Sequence, residues 1–98
     1  MTHYTRKPED RFTVIPSTPK RGESVTIVFK NPDLANQTVA ISIRNEMTAR
    51  RSRSIMIVLT SNGLGCAKWA IPEKGWDAII LSHESSLDHV VDLAPERS

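Results

Sequence analysis

His83, Glu84, Asp88, His89 and Asp92 form the densest group of metal-ligating side chains in this sequence. A zinc site would need three or four of them converging on a tetrahedron. The spacing works against that. His83 and His89 stand on either side of a Ser-Ser turn, and in a strand over residues 87–93 the side chains alternate, which sets His89 on the face opposite Asp88 and Asp92. No metal or other cofactor is therefore expected: His89 reads as a strand histidine near the rim of the fold, and His83 as part of a solvated turn.

Hydrolytic chemistry would need a serine or Cys66 activated by a histidine, with a third group to orient the base. The serines lie outside any Gly-x-Ser-x-Gly elbow, and Cys66, the only cysteine, follows an Asn-Gly turn inside a strand-like run, where a half-buried structural thiol is the expectation. The four glycines form no phosphate-cradling loop. The chain is accordingly expected not to be an enzyme. A concave pocket with convergent polar groups beside His83 or His89 is the feature that would argue for one.

Arg44, Arg50, Arg51 and Arg53 are the sharpest binding candidates. Guanidinium forks hold phosphate and carboxylate bidentately, so a loop carrying several suits nucleic acid, a phosphorylated surface or an acidic protein. Aromatic residues for base stacking are missing from this loop, which makes a solvated arginine loop the plainer expectation and nucleic acid the weaker partner. Such charges also discourage edge-to-edge pairing of apolar strands. Met56 and Val58, on the face of the next strand that ought to be polar, point either to a protein partner or self-association, or to a face covered by a neighbouring strand or by Tyr4 and the N-terminal segment.

The elements that must position these residues have a period of two almost throughout. Phe12 and Val14 share a face in 11–15; Val25, Ile27 and Phe29 in 24–30; Val39, Ile41 and Ile43 in 37–44; Ile55, Ile57 and Leu59 in 54–60; Ala67, Trp69 and Ile71 in 66–71. The strand over 76–82 is apolar in both registers, and Asp77 favours Trp76, Ala78 and Ile80 inward. In 87–93, Leu87, His89, Val91 and Leu93 share a face. Turn chemistry separates the runs: Pro16-Ser17-Thr18-Pro19, Lys20-Arg21-Gly22-Glu23, Asn31-Pro32-Asp33 with one helical turn at 34–36, and Asn62-Gly63, the strongest hairpin signal. The hairpin pairs 54–60 with 66–71 as neighbours.

Ninety-eight residues, 39% of them hydrophobic and 24% charged, make one globular domain, and no apolar run approaches the ~20 residues of a membrane helix, so no membrane insertion is expected. A single cysteine excludes an internal disulfide. The net charge of +2 is uneven: residues 1–53 hold ten Lys/Arg against five Asp/Glu, and residues 54–98 hold three against six. Residues 1–10 read as a flexible lead-in, 11–94 as the domain and 95–98 as a frayed tail. No secretory signal is visible, which fits a cytoplasmic chain or a fragment of a larger cell-surface protein.

Seven short strands without a credible helix predict an antiparallel β-sandwich. The proline-interrupted first strand, the Gly22-Glu23 approach to Ser24-Val25-Thr26-Ile27, the Asn62-Gly63 turn, Trp69 and the closing Val90-Val91-Asp92-Leu93 give the chain its likeness. It resembles the immunoglobulin-like and fibronectin type III-like modules of bacterial proteins, over roughly residues 12–93. It departs from antibody-type domains in lacking a cysteine pair and in placing its tryptophans late. The resemblance implies an immunoglobulin-like sandwich and a spacer, adhesive or docking role.

Overall fold

The structure, a computed structural model, describes residues 10–46 and 52–95. Arg50 and Arg51, the lead-in as far as residue 9 and the last three residues lie outside them. Seven strands run β1 (Phe12–Ile15), β2 (Ser24–Lys30), β3 (Thr38–Asn45), β4 (Ser52–Val58), β5 (Leu64–Ala70), β6 (Ala78–Ser82) and β7 (His89–Asp92). All pairings are antiparallel, in one sheet of order β1-β2-β5 and another of order β4-β3-β6-β7. The only helical element among the described residues is a 3-10 turn, Pro32–Leu34, capped by the Asn31 side chain, which accepts from the Asp33 amide.

The chain is thus a seven-stranded all-β sandwich. Its core is the set of inward residues that alternation selects: Phe12, Val14, Val25, Ile27, Phe29, Val39, Ile41, Ile43, Ile57 and Leu59 are all buried. Phe12 and Phe29 pack with ring centroids 5.0 Å apart, and Trp69 meets Trp76 edge-on at 5.2 Å. Burying each large apolar side chain contributes about 1.5–3 kcal/mol, which is what makes the period-two pattern decisive for the fold.

Two expectations fail. The Asn62-Gly63 turn does not join neighbouring strands: β4 pairs along its length with β3, and β5 along its length with β2, so the chain crosses from one sheet to the other. The turn itself is tight, with Gly63 N–H donating to Thr60 O at 2.9 Å and Thr60 N–H to Leu64 O at 3.0 Å. What redirects the strands is close backbone approach. A Cβ on Gly63, which has φ +76°, would lie 2.4 Å from the Asn31 carbonyl oxygen, and one on Gly65 would lie 2.5 Å from that of Val58. Ile57 and Leu59 are buried in the core between the sheets, and Ala67 and Trp69 pack against that core from the other sheet.

The second correction is the register of β6. Ile79 and Leu81 are buried, whereas Ile80 is only half-buried; Ala78 is buried as well, although it pairs with the exposed Asp92. Ile43 of β3 points inward and pairs with Leu81, so the neighbouring strand dictates the facing. Trp76 is buried too, but it sits before the strand, ahead of a bend at Asp77, and its burial does not carry period two forward. Asn45 fixes this bend: its side-chain amide donates to Gly75 O at 3.1 Å and its carbonyl oxygen accepts from Asp77 N–H at 3.1 Å.

The register correction is measurable by denaturant unfolding. Ile79→Ala should lose about 2–5 kcal/mol, and Ile80→Ala less than about 1 kcal/mol. Equal losses would show that the facing of β6 is misassigned.

Candidate functional site

The outward face of the four-stranded sheet gathers most of the residues singled out by the sequence. Register sets Val58 beside Thr38, Met56 beside Ala40, and Ser54 beside Ser42, which in turn neighbours Ser82. Arg44 stands between Ser52 and Ile80, and Val90 lies beside Ile80. Met56 is 60% exposed and Val58 68%, the two highest values among the large hydrophobic residues described, and Val90 is also exposed. Met56 and Val58 form an apolar ridge along β4, because no described residue covers the outer face of this strand.

Beside the ridge the face is low. A shallow concavity of ≈ 590 Å³ is lined by Ala40, Ser42, Arg44, Ser82, His83, Glu84 and Asp88. Small side chains on β3 and β6 create it by register. Arg44 belongs to this surface rather than to a loop: its Nη2 donates to Asp88 Oδ2 at 3.1 Å in a half-exposed ion pair. Arg53 is exposed at the start of β4, on the strand's other facing. The described structure therefore separates Arg44 from Arg53 and commits Arg44 to a carboxylate.

The histidines are held by local hydrogen bonds. Ser85 N–H donates to His83 Nδ1 at 3.1 Å, and the Ser85 hydroxyl lies 2.7 Å from the same nitrogen. Ser85 Oγ in turn accepts from the buried Asn31 amide at 2.9 Å. The His83 ring packs on Phe29 with centroids 5.1 Å apart, so it is half-buried rather than solvated. Arg11 ties the same turn to β1: its amide donates to Ser86 Oγ at 3.0 Å and its Nε to Ser85 O at 3.2 Å. His89, half-buried near the rim, pairs with Asp10.

Ser85 and His83 have the atoms of a nucleophile and a base. The geometry uses them otherwise. One residue supplies both hydrogen bonds to Nδ1, which caps the β6–β7 turn, and among the described residues no group hydrogen-bonds Nε2 to orient the ring as a base. The concavity touches His83 but is not lined by Ser85. Cys66, expected to be half-buried, is exposed on the outer face of β5, because that edge strand is also uncovered.

No protein-family model, curated protein or solved structure matches this chain. The surface therefore has to be read from its own chemistry. Met56 and Val58 were legible as an apolar break in alternation, while the concavity and the Arg44–Asp88 pair, 44 residues apart in sequence, carry no local signal.

The two kinds of polar contact should differ in energy. A double-mutant cycle on Arg44 and Asp88, measured by denaturant unfolding, should give a coupling of about 0.2–1 kcal/mol that shrinks with salt. Asn31→Ala, which leaves buried groups without partners, should cost about 1–3 kcal/mol. A larger cost for breaking the surface pair would reverse this ranking.

Proposed function

We propose that the chain is a non-enzymatic, immunoglobulin-like or fibronectin type III-like interaction module, of the kind found in bacterial proteins, that binds protein through the outer face of its four-stranded sheet. The observation that carries this reading is the exposed Met56/Val58 ridge on a terminal strand beside a shallow concavity. Exposed apolar side chains grouped on one face mark interaction surfaces, whereas the same residues scattered singly would carry no meaning. The strand order supports the module type. In immunoglobulin-like sandwiches the first, second and fifth strands lie on one sheet and the third, sixth and seventh on the other, and here β4 joins the latter. The local roles of Ser85 and His83 support a binding rather than a catalytic surface.

The alternative, an anion- or nucleic-acid-binding module using Arg44, Arg50, Arg51 and Arg53, is less favoured. Arg44 already pairs with Asp88, and among the described residues the concavity beside it is lined by no Phe, Tyr or Trp for base stacking.

The test is a double variant, Met56→Lys with Val58→Lys. Both side chains are outside the core, so Tm should change by no more than about 4 °C. On gel filtration of a native extract of the source cells, the wild-type chain should migrate in a complex and the variant as a free monomer. Identical elution of the two would overturn the reading.

A further inference from the structure

We propose that the open edge of β5 accepts an extended segment of a partner protein as a further strand of its sheet. The segment carries an apolar side chain at every second position and a carboxylate opposite Lys68. This surface is separate from the face bearing Met56 and Val58, and it does not rest on the reading of that face.

The backbone is the first observation. β5 pairs with β2 without a bulge, and the ladder is anchored just beyond both ends: Asn31 N–H donates to Gly63 O at 2.8 Å, and Ile71 N–H to Glu23 O at 2.9 Å. Hydrogen bonding alternates along an antiparallel strand, so residues 65, 67 and 69 also turn their N–H and C=O groups to β2. Cys66, Lys68 and Ala70 turn theirs to the other side, where no described strand lies. Leu64 ends the open stretch, because its carbonyl already accepts from Thr60 N–H. An extended segment laid along this edge gains main-chain hydrogen bonds at three positions.

Burial is the second. Val25 and Ile27 of β2 are 2% and 1% exposed, whereas their β5 neighbours Trp69 and Ala67, which face the same core, are only half-buried. Ile55, which faces inward from β4 on the same flank, is half-buried too. The seam between the two sheets is therefore incompletely covered here. A strand added to β5 sets every second side chain beside Ala67 and Trp69, where an apolar group removes the most apolar surface from water.

Charge and chain length select the occupant. Residues 1–9 hold two large apolar side chains, Met1 and Tyr4, out of phase for a strand, and they join the fold at Asp10, which pairs with His89 on the opposite flank. Residues 47–51 connect Glu46 to Ser52 and are too few to run along β5 and return, and residues 96–98 are Glu-Arg-Ser. A second copy would have to pair β5 with β5. The two-fold register that matches all three open positions, 66 with 70 and 68 with 68, sets Lys68 on Lys68, and like charges directly opposite are destabilising. Lys68 is the only charged residue of β5, is exposed, and is in no ion pair among the described residues. The charge that guards this edge against its own kind selects a partner strand with a carboxylate at that position.

Titration of the nitrogen-15-labelled full chain, followed by nuclear magnetic resonance, tests this with a capped peptide, Thr-Val-Thr-Val-Glu-Val-Thr, taken to millimolar concentration. The amides of Cys66, Lys68 and Ala70 and the Trp69 indole should shift saturably. The same seven residues shuffled to break the alternation should leave them unmoved. Ala70→Pro removes a donor on the open side without breaking a bond to β2, and should weaken binding at least about fivefold. Lys68→Glu should weaken it about two- to fivefold, and a peptide with lysine in place of glutamate should recover the loss. Met56→Lys with Val58→Lys should bind as the wild type does. Circular dichroism melts establish that each variant is folded, and Lys68→Glu, at an exposed site, decides the matter if Ala70→Pro does not fold. Unmoved amides at the three open positions, an equal response to the shuffled peptide, or an affinity unchanged by Lys68→Glu overturns the inference. A dimer of the purified chain in sedimentation velocity that Ala70→Pro abolishes also overturns it, because the edge then belongs to a second copy.

Discussion

The fold depends on one backbone crossing. Between Leu59 and Leu64 the chain leaves the four-stranded sheet for the three-stranded one, and it can do so only because Gly63 and Gly65 lack side chains where two other backbones pass. Hydrogen bonds lock the crossing to the β2–β3 turn: Asn31 N–H donates to Gly63 O at 2.8 Å, Asn36 N–H to Thr60 O at 3.0 Å and Leu59 N–H to Gln37 O at 2.8 Å. Had β5 stayed beside β4 as a hairpin, β4 would have two neighbours. Instead it ends its sheet, with its second edge unpaired among the described strands.

The same end of the sandwich explains the polar residues that first looked chemical. Asn31 is buried, and its groups would cost more than a kcal/mol each if left unpaired. Ser85, Gly63, Asp33 and Leu34 satisfy them, and Ser85 passes the connection on to His83, while Arg11 reaches the same turn from β1. This network joins three turns and the start of β1. A serine-histidine contact inside it is a fastening, and moving the imidazole to serve a substrate would break the bonds that shape the turn.

Much of the architecture was legible because burial on one face of a strand writes itself into the sequence at period two. Val25, Ile27, Phe29, Val39, Ile41 and Ile43 were all identifiable as inward residues on that basis, and all are buried. Where both faces are apolar, as in 76–82, the pattern carries no facing, and the decision belongs to the partner strand: Ile43 fixes Leu81. The Asn-Gly pair signals a reversal of direction and does not say which strand will be the neighbour. The outer face of the four-stranded sheet was half visible. Met56 and Val58 break alternation in a way any reader of the sequence can see, but the hollow beside them arises from Ala40, Ser42 and Ser82 coming into register across strands far apart in the chain.

The two flanks of the sandwich also differ in how they are finished. Between β1 and β7, Phe12 lies against the His89 ring, Asp10 pairs with His89, Arg11 bonds Ser86, and Ala94 N–H donates to Pro19 O at 2.7 Å. That flank is closed by side chains and by the backbone bond between Ala94 and Pro19. The flank of β4 and β5 has its crossing turn at one end and exposed residues, among them Met56, Val58, Leu64 and Cys66, along its outer faces. An uncovered strand with apolar side chains invites association, and proteins commonly guard such strands with charge. Here Arg53 stands at the start of β4 on the facing of Ile43 and Ile57, so it guards the end of the strand and leaves the face bearing Met56 and Val58 without a basic residue of its own strand.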